Sequence, residues 1–312
     1  MISRLLRKLI NKLPAGRAPK KGKGKTKGGE KGGKERKRAK FAASGRGLMV
    51  RDKAAARAPD TVPMGAAIAA IIRNEASYIR EWIEFHLLVG ISRFYIYDNG
   101  SDDGLMSVLE PYVAAGNVRV IPWEGFVHQI STQQLAYAHA VANVAGDIGW
   151  LAFLDVDEFL FSPTGASVVE VLKSQPPHAA LAIARVEFGP GEHVRRPEGL
   201  VIDNYRLRSM LDREEKSIVR PWAVTVVGAH YCECEGPYVR PDPAVLRLNH
   251  YFTKSRDEFE AKVERGWKIF SHSPLSDVTA LKRARSSRFF SETVPDDAIL
   301  VFLDELNKRL GR

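Results

Sequence analysis

The segment that decides the reading is Trp150–Phe159, WLAFLDVDEF, an apolar run that ends in Asp155, Asp157 and Glu158. Carboxylates at the mouth of a buried strand repel one another and lose hydration, so three together are costly unless something positive sits among them. Hard oxygens in a D-x-D spacing suit Mg2+ or Mn2+, and a cation held there can bridge to phosphates. The plain alternative is a solvated acidic turn, but the flanking WLAFL and FLF are too apolar for a casual surface loop.

Upstream of this segment the pattern alternates. Ala67–Ile72, Phe94–Tyr97, Val118–Ile121 and Trp150–Leu154 read as strands, with helices expected at Ser77–Leu88, Gly104–Ala115 and Thr132–Ala145. Strands separated by helices of this length predict βαβ units and a mostly parallel sheet. The conspicuous polar groups all follow strand ends: Arg73-Asn74-Glu75, Asp98-Asn99, Trp123-Glu124 and Asp155-Val156-Asp157. In an open α/β sheet those ends converge on one crevice, where ligands bind. Further on, strands are expected at Ala180–Phe188 and Ala223–Val227; Ser255 with Glu258 forms a capping-box signal, and Pro295 is expected to open a last helix.

The formal charge of +10 is unevenly placed. Residues 1–60 carry 20 Lys/Arg against 4 Asp/Glu, whereas the remainder carries 27 against 33, so the body is mildly acidic. Within the basic part, Ile2, Leu5, Leu6, Leu9, Ile10 and Leu13 recur at helical spacing among Arg and Lys, the pattern of a short helix on an anionic membrane surface. The Gly/Lys-rich tract after it has almost nothing to bury and is expected to be disordered, serving as a lipid or nucleic-acid tether or as a solubilising tail. No run approaches the length of a membrane span and no signal-peptide pattern is present. Cys232 and Cys234 are too close for an ordinary disulfide framework and give no sign of an oxidising compartment. The expectation is a cytoplasmic protein, peripheral on the inner face of the membrane through residues 1–40. A zinc site at His230, Cys232 and Cys234 lacks a second cysteine pair, so the thiols are read as buried. His86 and His139 are read as packing or surface residues.

Taken together, IIRNEASYIREWIEFHLLVGISRFYIYDNGSDDG, the following WEG, WLAFLDVDEFLF and the late NHYFTKS resemble, in collinear order, the family 2-like and family 92-like glycosyltransferases of the GT-A fold. The resemblance implies a GT-A-like, Rossmann-like α/β domain over residues 63–275, after the basic segment 1–60 and before a helical extension, 276–312. It implies a nucleotide-sugar donor, a glycan or lipid-linked acceptor hydroxyl, Mn2+ or Mg2+, and inversion at the transferred carbon. Arg73, Asn74 and Glu75 would line the nucleotide pocket, although Asn74 and Glu75 suit a helix cap equally well. Asp98 would meet the base or ribose, and Asp102 would cap the next helix and hold the loop. Asp155 would meet the ribose or the metal, Asp157 would be the principal ligand, and Glu158 would support them. Gln133, before Tyr137, occupies a place where relatives often show Q-x-x-x-Y, and a helix-surface role suits it as well. Lys216 or Arg220 would offset diphosphate charge, or else form surface ion pairs. His250, favoured over His230, would complete the cation site. Glu187 and Glu192 are the candidates for the base.

Two rivals belong to other classes. Haloacid-dehalogenase-like phosphatases also place D-x-D after a strand, with the first Asp as nucleophile, but near the start of the domain and without Phe159 in the fifth position. A nucleic-acid-binding protein would use the basic tail, and its phosphate contacts need no carboxylate crevice.

Overall fold

Alternation along the first strands places successive side chains on opposite faces of one sheet, and each face is covered. In the computed structural model, Ile68, Ala70 and Ile96 join a core with Trp82, Ile83 and Leu109, while Ala67, Ala69, Tyr97 and Phe153 pack with Ala136, Tyr137 and Ala140. The structure describes residues 47–56, 58–124, 131–144, 146–175, 180–209, 215–269 and 292–312. The chain divides into units 1–40 and 41–312, and the first, with its expected lipid-binding helix and Gly/Lys tract, lies outside the described residues.

In chain order the strands and helices are β1 (Leu48–Met49), β2 (Gly65–Ile72), α1 (Ala76–Leu88), β3 (Arg93–Asp98), α2 (Leu105–Ala114), β4 (Val118–Pro122), α3 (Thr132–Asn143), β5 (Ile148–Phe153) and β6 (Glu158–Phe161). They continue as α4 (Val168–Ser174), β7 (Ala180–Glu187), α5 (Val201–Asn204), β8 (Leu207–Ser209), β9 (Glu215–Val219), β10 (Val224–Val227), β11 (Cys232–Cys234), β12 (Tyr238–Val239), β13 (Arg247–His250), α6 (Arg256–Ile269), β14 (Glu292–Pro295) and α7 (Leu303–Leu310). The main sheet runs β4-β3-β2-β5-β9-β7-β13-β6, with β12 also pairing β7. Its first four strands are parallel, as expected of βαβ units. The segment Glu215–Val219 then inserts antiparallel between β5 and β7, and β6 pairs antiparallel with β13. These reversals bring the amino ends of β9 and β6 to the same edge as the carboxyl ends of β2, β5, β7 and β13.

Two local expectations change. Pro295 ends β14 instead of opening a helix; a 3-10 turn begins at Ala298 and leads into α7. The loop after β3 is held by Asp103, whose carboxylate accepts from Leu105 N (3.3 Å) and, across to the next loop, from Ala76 N (2.8 Å) at the start of α1. Asp102 is exposed and takes part through its backbone, its N–H donating to Asn74 Oδ1 at 2.9 Å. The capping box forms as expected: Ser255 N and Oγ donate to Glu258 Oε2 at 3.2 and 2.6 Å.

Helix α1 fastens the site from behind. Trp82 Nε1 donates to Glu158 O (2.8 Å), and His86 Nε2 accepts from Leu160 N (3.2 Å) while its Nδ1 donates to Trp82 O (2.8 Å). Burial pulls His86 down to about 3, so this imidazole is neutral and structural. At the C-terminus, Phe302 packs edge-on against Phe85 (5.6 Å) and Phe161 (6.1 Å), and Leu306 is buried. Each such aromatic pair adds about 0.5–1.5 kcal/mol beyond burial. On the same helix, Glu81 is buried and accepts from Val201 N (2.9 Å) and Ile202 N (3.2 Å). Burial raises its pKa to about 7 against the pull of those two N–H donors.

Because Glu81 binds its proton more tightly folded than unfolded, its contribution to stability is full below about pH 4.5 and is lost as pH rises to about 7. Urea unfolding at pH 5 and pH 7.5 should therefore show a smaller loss for Glu81→Gln than for wild type, by up to roughly 3 kcal/mol. Equal pH slopes would show that Glu81 is ionised throughout.

Candidate active site

The cleft has a volume of about 420 Å³ and is lined by Ile71, Ile72, Arg73, Glu75, Asp155, Val156, Asp157, Arg185, His230, His250, Phe252 and Lys262. It lies where the strand ends meet, which is why residues more than a hundred positions apart share it. Antiparallel register pairs Ala152 with Ile218, so Lys216 falls beside the end of β5 and Asp155. Parallel register sets His250 beside Glu187, and on its other side His250 pairs with Glu158 of β6.

The carboxylates of the D-x-D turn find their positive partners within the chain. Lys216, fully buried, reaches Asp155 Oδ2 at 2.9 Å and Glu158 Oε2 at 3.0 Å. Burial opposes its charge, but the two carboxylates more than compensate and push its pKa up. Glu158 Oε2 also accepts from Asp155 N (3.0 Å), closing the turn. Burial raises Glu158 although Lys216 pulls it down, whereas in Asp155 burial is overcome by Lys216 and the carboxyl stays low. Gln133 donates to Tyr137 OH (3.1 Å) and reaches Asp155 Oδ1 (3.4 Å), so it faces the site and not the helix surface.

Asp157 has a different surrounding. Lys262 of α6 contacts its Oδ2, and His250 Nε2 lies 3.5 Å from its Oδ1. Burial would raise this carboxyl, but Lys262 and His250 hold it well below the ordinary range. His250 Nδ1 is tied to Glu187 Oε2 at 2.7 Å. Burial disfavours the imidazolium, yet Asp157 and Glu187 raise its pKa to about 9. Arg185 completes the network, its Nε 2.8 Å from Glu187 Oε1 and its Nη1 3.4 Å from Glu158 Oε1.

A divalent cation fits these residues on one observation above all: Asp157 Oδ1 is buried and accepts no hydrogen bond. With His250 Nε2 3.5 Å away, this oxygen would make the mixed oxygen and nitrogen donor set that Mn2+ accepts, once the imidazolium gives up its Nε2 proton to ligation. Among the described residues no three acidic, His or Cys side chains are clustered as a ready-made metal site, and Lys262 and Lys216 contact the carboxylates of the turn.

Of the residues expected from sequence, Arg73, Glu75, Asp155, Asp157 and His250 line the cleft together, with His230. Glu75 lies 3.7 Å from Lys254. Asn74 adopts a positive φ of 59° and laces the loops after β2 and β3, its N–H donating to Ser101 Oγ (3.0 Å). Asp98 accepts from Ser101 N (3.0 Å) in the same lattice, outside the cleft lining. Arg220 is not brought to the cleft. It lies at the far end of β9, over the Trp150 ring (3.7 Å), and donates to Gly149 O (3.2 Å). Gly149 is required there, since a Cβ would stand 1.7 Å from Pro63 O. Glu192 is exposed, Glu187 is buried in ion pairs, and neither is among the residues that line the cleft. Cys232 and Cys234 are buried thiols.

Sequence reasoning missed Arg185 and Lys262. Arg185 and Glu187 alternate on one face of an otherwise apolar strand, a pattern that signals a buried charge pair. Lys262 carries no such signal, being one of several charges on a polar helix.

A mostly parallel α/β sheet whose strand ends gather a D-x-D turn, a histidine and basic side chains defines a GT-A-type fold of the glycosyltransferase class. The model of glycosyltransferase family 92 matches residues 65–281, and the chain belongs to that family. A family 92 protein of Ricinus communis is 32% identical over 215 residues, covering 65% of this chain and 38% of its own length. The galactan beta-1,4-galactosyltransferase GALS2 of Arabidopsis thaliana is 26% identical over 55% of this chain and 36% of its own. This chain thus spans under two-fifths of the length of these curated relatives. A solved mannosyltransferase of Pyrobaculum calidifontis, in complex with GDP-Man and Mn2+, is 16% identical over 43% of this chain and 39% of its own, with a TM-score of 0.31, too partial an overlap to bear on the site.

Removing Lys216 would leave the buried Glu158 with Arg185, at 3.4 Å, and the Asp155 N–H as its remaining partners. Lys216→Met should cost about 3 kcal/mol of stability, part of it recovered in Lys216→Met/Glu158→Gln. Urea unfolding of the wild type and both variants checks this; no recovery in the double variant would mean that the loss comes from packing alone.

Proposed function

We propose that the chain transfers a sugar from a nucleotide-sugar donor to a hydroxyl of a glycan or lipid-linked acceptor, with a divalent cation and with inversion. The observation that carries this reading is the orphaned Asp157 oxygen opposite His250 in a cleft that also holds Arg73, Arg185 and Lys262. Asp157 and His250, with Asp155 at their side, would hold Mn2+ or Mg2+. A cation bound there supplies positive charge against the departing nucleoside diphosphate. The chain's own basic side chains lining the cleft bind and orient the diphosphate, with Glu75 beside them at the end of β2. Lys216 keeps Asp155 ionised and fixed, so the turn is shaped before any ligand enters. The galactan galactosyltransferase relatives favour a glycan acceptor.

Asp157→Asn should keep the fold and lose Mn2+-dependent affinity for UDP or GDP by at least about tenfold, because an amide neither neutralises the cation nor matches carboxylate affinity. Calorimetry of both proteins with nucleotide and Mn2+ decides it, and unchanged affinity would remove Asp157 from the site.

Residues 1–40 would attach the protein to an anionic membrane surface, since one short apolar face is marginal alone and a polybasic segment adds about 1 kcal/mol per Lys/Arg near such a surface. Vesicle co-sedimentation should require anionic lipid, weaken with salt and fail in Leu5→Asp/Leu9→Asp. Salt-insensitive binding, or none, would leave the segment a solubilising or nucleic-acid-binding extension.

A further inference from the structure

The two aspartates of the turn are neutralised by lysines of opposite character. Lys216 is sealed, with 1% of its side chain exposed, and bridges two carboxylates from within the sheet. Lys262 projects from α6 with 36% of its side chain exposed, yet its ammonium rests on Asp157, whose side chain is only 7% exposed. The ammonium also lies 4.0 Å from the Phe252 ring centroid and 3.3 Å from Phe252 O. These contacts are individually modest and face the open cleft. A partly solvated side chain can leave such a position once another cation takes over Asp157, whereas the sealed Lys216 cannot.

We propose that Lys262 is the exchangeable counter-ion of Asp157: it covers the carboxylate before a divalent cation binds, gives way to that cation, and then places its charge on the diphosphate of the donor. This rests on the reading of Asp157 as a cation ligand. The exchange follows from charge. Lys262 holds Oδ2 of Asp157 while the cation would enter at Oδ1 beside His250, and two positive charges on the two oxygens of one carboxylate repel each other at short range. The displaced ammonium remains on the cleft wall, on a four-carbon stem, where a diphosphate is the nearest new anion.

The proposal gives Lys262 opposite effects on two ligands. In the full chain, Lys262→Gln should bind Mn2+ alone more tightly, by about tenfold if the covered state holds nine molecules in ten. The same variant should bind UDP or GDP less tightly once Mn2+ is saturating. Lys262→Arg, which keeps the charge, should stay nearer to wild type in both titrations. Calorimetry with Mn2+ alone, then with nucleotide over saturating Mn2+, reads both signs, and thermal melting of each variant shows that it folds. A merely structural lysine would weaken both or neither. Weaker or unchanged Mn2+ binding in Lys262→Gln would overturn the exchange, and unchanged nucleotide affinity would overturn the second role. Asp157→Asn separates this from the parent reading: if that variant still binds Mn2+ normally, the cation site itself is misplaced.

Discussion

The ammonium of Lys216, held between Asp155 and Glu158, is the constraint on which the cleft depends. It joins β9 to the turn after β5 and to the start of β6, at the place where the sheet changes from parallel to antiparallel. Without a cation there, the fully buried Glu158 would face the partly exposed Asp155 across the turn, at a cost of several kcal/mol. With it, the turn from Asp155 to Glu158 closes on its own backbone, and Asp157 is carried outward toward the cleft. The positive group demanded by WLAFLDVDEF is thus in the first instance supplied by the protein.

The surrounding charges balance in the same local way. Four acids, Asp155, Asp157, Glu158 and Glu187, meet Lys216, Arg185, Lys262 and the His250 imidazolium, and each acid touches at least one of these cations. Such buried pairs are weak sources of stability but strong sources of geometry, since each leaves few alternative partners of the right sign. Glu187 illustrates this. Buried between Arg185 and His250, it fixes the orientation of the imidazole through its contact with Nδ1.

What was legible in the sequence follows from periodicity. The βα units and the convergence of Arg73, Glu75, Asp155 and Asp157 rest on local signals, strand alternation and polar groups after strand ends, whereas His250 was pointed to only by the family resemblance. What was not legible depends on pairing between distant segments. Glu215–Val219 is too short to announce that it inserts antiparallel between β5 and β7, and that insertion alone separates Lys216 from Arg220. Asp103 displaces Asp102 as the loop's fastening because the loop folds onto the start of α1, a contact no spacing rule contains. Lys262 is one charge among many until α6 is laid across the cleft.

Lys216 and Arg220 show how little residue type decides. Both are basic, both lie within or beside one strand, and both could have been assigned to a diphosphate. Four residues of extended chain span about 13 Å, so when one of them sits at the site's edge of the sheet the other must sit near the opposite edge. There Arg220 finds Trp150 and the carbonyls of Gly149 and Pro63, and a glycine is needed at 149 to let the chains approach. One cation therefore shapes the mouth of β5 and the other anchors its base. The strand they share holds the acidic turn in register from both ends.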